Sequence, residues 1–344
     1  AYYSLQLAGY LLDVWHGRTA PTPSYARLWC YAGFFLSLTQ GPFNRYNTLM
    51  PQLEAAPKTF ETQRLVSGLQ RSAWGYFKKF AIADRAAIVV SAAFADPASF
   101  DRSQLIFATV MYSFQLYADF SGYTDIVLGM GEILGLHLPE NFRQPFFSAS
   151  VKELWARWHI SLSQWFRDYV YIPLGGSRCS KGKMIRNLLV VWLLTGLWHG
   201  AGWNFLLWGF LLFVLVAVEK LCLLKVFRRV PILGHVYMIL AIPLSWLIFA
   251  ISDPGQIWIY VQRLFPFLAA AGRFSWFAGD YLKYGKMYLI TLLAGMILIT
   301  PLPRKLYERY KGNMWSALVL ILIFWFSVYC IWIGQDDPFM YFAF

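Results

Sequence analysis

Two histidines carry most of the chemistry the chain could perform. His199 lies in LLTGLWHGAGWNFLLWGF, an apolar stretch in which Gly196, Gly200 and Gly202 loosen the helix and let other groups approach the backbone. An ionisable side chain at membrane depth is costly unless it is neutral, paired or beside water, so His199 is read as functional. A neutral imidazole is the obvious general base; the plainer alternative is a packing hydrogen bond between helices. His159 lies in VKELWARWHISLSQWFRDYVY, residues 151–171. Laid on one helix, that segment gives a polar stripe of Arg157, Ser161, Gln164 and Asp168 opposite an aromatic face of Trp155, Trp158, Leu162, Trp165, Phe166 and Tyr169. His159 falls at the border of the aromatic face. Asp168 falls on the far side, so within this helix it cannot orient His159, and so amphipathic a helix is expected to lie in the membrane plane.

Acidic residues cluster in LYADFSGYTDIVLGMGEILG. Asp119 and Tyr123 share a helical face, Asp125 follows two residues later, and the three either orient a histidine, line a polar cavity or pair with a buried arginine such as Arg45 or Arg85. Gly131 and Gly135 form a G-x-x-x-G read as a helix-packing motif, since no strand precedes it. A G-x-S-x-G elbow, a P-loop and the paired-histidine zinc motifs are missing, so activated-serine hydrolysis, nucleotide use and a metal site have no support.

The elements that must hold these residues are membrane helices. Of 344 residues, 14% are charged and 58% hydrophobic, and the mean hydropathy is +0.46; a soluble domain carries about 25% charge. The net charge of +12 is spread over short clusters between apolar runs: Lys78/Lys79, Lys181/Lys183/Arg186, Lys225/Arg228/Arg229 and Arg304/Lys305/Arg309/Lys311. That is the pattern of cytoplasmic loops and argues against nucleic acid as a partner. The 16 Trp and 21 Tyr suit a headgroup region. Cys30, Cys179, Cys222 and Cys330 have no C-x-x-C spacing and are expected to be buried thiols.

Apolar runs of helix length lie at 315–333, 203–218, 232–251 and 288–300. Runs at 28–38, 82–94 and 106–134 carry polar residues and are expected to be helices shielded from lipid. With 220–229 and 301–311 both cytoplasmic, 232–251 and 288–300 supply the two crossings between them; 258–276 is then interfacial or re-entrant on the outer side, and the tail GQDDPFMYFAF is outside. Residues 1–344 read as a single membrane domain. The chain opens on Ala1 with no signal-peptide pattern, so it is expected to begin inside a longer protein.

The stretch LPENFRQPFFSASVKELWARWHISLSQWFRDYVYIPLGGSR, followed by TGLWHGAGWNFLLWG, resembles the membrane-bound O-acyltransferases, in particular their bacterial alginate O-acetylation branch. The likeness continues in GPFNRYNTLMPQL, GYFKKFAIADRAA, YADFSGYTDIVLGMG and the terminal DPFMYFAF, and the resemblance leads one to expect a further N-terminal group of helices before Ala1. The resemblance implies an all-α polytopic fold of transmembrane and interfacial helices around a central tunnel or funnel, in a bacterial inner membrane. It makes His199, in WHG, the essential histidine near mid-membrane and His159 a lesser functional residue. It implies no tightly bound cofactor. The acyl donor is a cytoplasmic thioester, acetyl-coenzyme A or another, and the acceptor is a hydroxyl of an exported polysaccharide, reached directly or through a periplasmic partner. D-alanyl transfer to teichoic acid from a carrier protein is the close variant; a non-catalytic channel or export component is the alternative of another class. Tunnel candidates are Asp119, Tyr123, Asp125, Asn141, Trp198 and Asn204, with Asn204, Tyr123 or His159 as oxyanion donor. Lys181, Lys183 and Arg186 either dock the donor or only mark topology.

Overall fold

The computed structural model describes residues 2–55, 59, 61–268, 280–311 and 313–333. Helix dominates because an apolar chain in lipid must satisfy its backbone groups within itself. The first helices are α1 (Tyr2–Trp15), α2 (Tyr25–Ala32), α3 (Tyr46–Glu54), α4 (Thr62–Tyr76), α5 (Asp84–Ala95) and α6 (Arg102–Ile133). A π-helical segment, Phe77–Ala83, joins α4 to α5. Then come the short α7 (Val151–Trp155) and α8 (Ile160–Phe166), and the hairpin of α9 (Lys181–His199) and α10 (Trp203–Val218). The rest are α11 (Leu224–Arg229), α12 (Pro231–Ala250), α13 (Pro254–Leu264), α14 (Asp280–Met287), α15 (Leu289–Leu298), α16 (Leu302–Tyr310) and α17 (Met314–Trp332). The described residues hold no strand, only one isolated antiparallel bridge from Phe142 to Trp158.

The chain is an all-α membrane protein. By length and apolarity α12 and α17 are able to cross a bilayer alone, and α15 with α16 forms a third candidate bent by 72°. The centre is α6, against which α4, α5, α12, α13 and α15 pack. Its ends are written locally. Asp101 and Gln104 form a reciprocal capping box at 2.9 Å each way. At the other end Gly135, at φ +74°, closes a Schellman motif in which Leu136 N–H donates to Gly131 O at 2.8 Å.

Glycines set how closely α4 and α6 approach. Gly68 faces Gly129 and Gly75 faces Gly122, seven residues apart on each helix; a Cβ at Gly68, Gly75 or Gly129 would lie 2.5 Å from the opposing glycine's carbonyl oxygen. Gly129→Ala therefore has to part the helices. We expect a loss of about 1–3 kcal/mol, read as a lower thermal midpoint in detergent; an unchanged midpoint would contradict the close seam.

Several expectations are corrected. Lys78 and Lys79 are not loop residues but lie in the π-helical segment, 6% and 2% exposed. Lys78 pairs with Asp125 at 2.5 Å, and Lys79 with Asp84 at 2.7 Å and Asp119 at 3.0 Å, so these lysines neutralise carboxylates inside the protein. The partner of Asp119 is thus lysine, not Arg45 or Arg85. Residues 151–171 are not one amphipathic helix in the membrane plane: α7 ends at Trp155, α8 starts at Ile160, and Trp158, His159 and Leu162 are buried. Gly135 is a cap, not half of a packing motif.

The basic stretches 220–229 and 301–311 are largely helical, and Lys181, Lys183 and Arg186 form the first turns of α9. In 28–38 the α-helix stops at Ala32, followed by a single 3-10 turn. Cys30 and Cys222 are exposed and Cys179 half-buried, leaving Cys330 buried; the outer face of a membrane protein is itself apolar, so a thiol gains little by leaving it. Residues 269–279 and the tail 334–344 lie outside the described residues.

Candidate active site

His199 is the last residue of α9, and α9 meets α10 through glycine: a Cβ at Gly196 would sit 2.5 Å from Phe205 O, and one at Gly209 2.5 Å from Trp192 O. That approach sets the His199 ring among aromatic walls. Trp198, Trp208 and Phe249 stand nearly perpendicular to it at centroid distances of 4.8, 5.0 and 5.4 Å. Phe249 belongs to α12, whose position is fixed by Asn204 Nδ2 donating to Phe249 O at 2.8 Å. The His199 ring is oriented by its own helix, since Nδ1 lies 2.7 Å from Thr195 O. A carbonyl oxygen only accepts, so Nδ1 carries the proton and Nε2 carries the basic lone pair.

His159 is positioned by a different device. The segment before α7 runs back along residues 157–160: Arg143 N–H donates to Arg157 O at 2.9 Å, and Ile160 N–H to Asn141 O at 3.0 Å. These bonds take the groups a continuous helix would use, and His159 adopts the left-handed conformation at φ +43°, ψ +54°. Asn141 Oδ1 accepts from Ser161 N at 3.1 Å, from Ser161 Oγ at 2.8 Å and, at 3.4 Å, from His159 Nδ1. Around the ring lie Phe120 at 4.8 Å, Phe43 at 5.9 Å, Trp198 at 6.0 Å and Tyr2 at 6.3 Å.

Trp198 therefore touches both histidines, and a second brace joins their segments. Glu219, fully buried just after α10, accepts Val151 N–H at 2.5 Å and Lys152 N–H at 3.1 Å at the start of α7. A carboxylate at a helix start satisfies free amides and matches their positive end.

Of the sequence candidates, the structure brings together His199, His159, Trp198 and Asn141, with Asn204 one step away behind Phe249. Asp119, Tyr123 and Asp125 are engaged elsewhere on α6: Asp119 with Lys79, Asp125 also with Arg71 at 3.1 Å, and Tyr123 Oη with Thr39 Oγ1 at 2.7 Å. It is Phe120 of α6 that reaches His159. Asp168 pairs with Arg45 at 2.9 Å and Arg167 at 2.7 Å. Lys181 opens the helix that His199 closes, about 27 Å away along the axis by helical rise. Trp208, Phe249 and Glu219 were missed; the aromatic density of WNFLLWG hints at Trp208, while the other two become neighbours only through tertiary packing. Among the described residues no His, Cys, Asp and Glu cluster could hold a metal ion. What the arrangement offers is a proton acceptor with a fixed tautomer, enclosed by apolar walls.

Comparison with known proteins supplies the context. The profile of MBOAT, the membrane-bound O-acyltransferase family, matches residues 10–255. The chain is 35% identical over 270 residues to a probable alginate O-acetylase of Azotobacter vinelandii, covering 78% of this chain and 53% of that protein. It is 38% identical over 191 residues to a peptidoglycan O-acetyltransferase of Helicobacter pylori, covering 55% and 36%. To a teichoic acid D-alanyltransferase of Bacillus subtilis it is 33% identical over 194 residues, covering 53% and 48%. The chain thus spans about half the length of the curated relatives it matches.

Proposed function

The chain belongs to the membrane-bound O-acyltransferase family, and from that premise we propose that it moves an acetyl group from a cytoplasmic thioester across the bacterial inner membrane to a hydroxyl of an exported polysaccharide, directly or through a periplasmic partner. The observation that carries the reading is the fixed tautomer of His199: Nδ1–H is held by Thr195 O, so Nε2 is the atom that can take the proton of an acceptor hydroxyl. A hydroxyl is too weak a nucleophile when protonated, and attack on the thioester carbonyl needs that proton removed as the bond forms. His159 shares the Trp198 ring with His199, which ties the two histidines into one aromatic cluster. Acetyl is preferred over D-alanyl because the likeness to the alginate protein covers 78% of the chain and that to the D-alanyltransferase 53%.

The test is a mass measurement of exported polymers from cells with and without the protein. Loss of O-acetyl esters supports the reading; loss of D-alanyl esters favours the variant; export that depends on the chain but not on His199 points to a channel.

Charged parts of a donor carrier cannot enter hydrocarbon, so only the acyl arm reaches His199. Lys181, Lys183 and Arg186 at the far end of α9 suit the carrier's phosphates. Replacing all three with Gln is expected to raise the apparent KM for the donor severalfold in a correctly inserted protein. Unchanged donor kinetics would leave these residues as topology markers.

A further inference from the structure

A file of side-chain nitrogens runs through His199, each buried and without a hydrogen-bond partner among the described residues: Nε2 of His159 and the indole Nε1 of Trp198, Trp208, Trp155 and Trp246. The rings follow one another closely. His159 to Trp198 is 6.0 Å, Trp198 to His199 4.8 Å, His199 to Trp208 5.0 Å, and Trp208 to Trp155 and Trp246 5.7 and 6.0 Å. Four of these, the indoles, are donors; a buried donor left unmade costs about 1–3 kcal/mol, so the indoles call for an acceptor beyond the described residues, and a bound substrate can supply one. An indole N–H narrows what that acceptor is. It donates only, so it can serve neither the proton of a hydroxyl nor a cation, and it cannot compete with His199 for a proton.

We propose that the indole N–H groups of Trp198 and Trp208, the two rings flanking His199, bind the carbonyl oxygen of an acyl thioester and stabilise its charge in the tetrahedral intermediate; this rests on the acyl-transfer reading above. Of the amide and phenol groups named as oxyanion donors from the sequence, both are engaged: Asn204 Nδ2 donates to Phe249 O at 2.8 Å, and Tyr123 Oη bonds Thr39 Oγ1 at 2.7 Å. Asn141 Nδ2 is buried without a partner among the described residues but lies on the His159 side, where Asn141 Oδ1 is held by Ser161. In the step itself the acceptor oxygen bonds to the carbonyl carbon while its proton passes to His199 Nε2. The carbonyl π pair moves onto oxygen, where the two indoles hold it. Collapse reforms the carbonyl, breaks the C–S bond, and the departing thiolate takes the proton from the imidazolium. Donors set in advance at the site of developing charge need no reorganisation during the reaction.

The test uses the whole chain in membranes with acetyl-coenzyme A carrying ¹³C at the carbonyl. Trp198→Phe and Trp208→Phe keep an aromatic ring and lose the N–H. Each is expected to lower kcat by about 10²–10³-fold with little change in KM. Each is also expected to raise the infrared carbonyl frequency of the bound thioester relative to wild type. If Trp208→Phe does not accumulate, 3-benzothienylalanine at position 208 preserves ring size and replaces the N–H with sulfur. Wild-type kcat with an unshifted carbonyl band in both folded variants would overturn the proposal alone. A wild-type chain that transfers no acyl group would overturn the reading beneath it as well.

Discussion

His199→Ala is expected to lower the proposed acyl transfer by about 10²–10⁴-fold while the protein remains folded and inserted at wild-type level. The size of the loss follows from what is removed: Nε2, the proposed proton acceptor, goes with the ring, together with the Nδ1–H hydrogen bond to Thr195 O that fixes the tautomer. The fold should survive because the residue ends α9 and is only partly buried, so truncation leaves the α9–α10 glycine contacts in place. Acyl-ester content of the exported polymer, normalised to protein in the membrane, is the measurement; retained transfer would remove His199 from the mechanism. His159→Ala should reduce activity less. Because His159 sits at φ +43°, His159→Asn is the fairer companion, since asparagine tolerates that conformation better than alanine.

The largest loss of stability is expected at Lys79. Its ammonium bridges Asp84 and Asp119, and all three side chains are 3% exposed or less. Lys79→Met fills similar space but removes the charge that offsets two buried carboxylates. Breaking such a pair typically costs about 3–5 kcal/mol, because the remaining charges stay desolvated. The variant should accumulate poorly or inactivate well below the wild-type temperature. Adding Asp84→Asn and Asp119→Asn should recover much of the loss. A stable Lys79→Met single variant would show that the ion pairs add little to the fold.

Legibility in the sequence followed locality. The α10, α12 and α17 helices could be read from apolar runs because their stabilising surroundings are uniform and need no particular partner. The two histidine motifs could be found because an ionisable residue in an apolar context is unusual wherever it occurs. The wheel drawn for 151–171 failed because it counts only neighbours along the chain, whereas Asn141 and Arg143 take backbone groups from 157–160 across a loop. Lys78 and Lys79 were misread for the same reason: adjacent lysines between apolar runs look like a loop until Asp84, Asp119 and Asp125 come into place. The Gly68/Gly129 and Gly75/Gly122 seam involves two helices at once, so neither glycine pair is meaningful by itself. Trp208 and Phe249 became part of the site only when α10 and α12 packed against the end of α9.

The α6 helix bears on how the protein is made. It is the longest element at 32 residues, yet it is not among the helices apolar enough to cross a bilayer unaided. A charged residue at the centre of an inserting helix costs about 2.5–3.5 kcal/mol on translocon scales, and α6 brings both Asp119 and Asp125. Its neutralising partners, Lys78 and Lys79, leave the ribosome first. The α4–α5 segment is therefore expected to settle in lipid only once α6 emerges, the two then forming one charge-balanced unit. Helices α12 and α17 are free of that dependence and can insert as they are made. A nascent chain halted before α6 would hold Lys78 without Asp125 and Lys79 with only one of its two carboxylates, Asp84, which makes that interval of synthesis the one in which the segment is least ready for lipid.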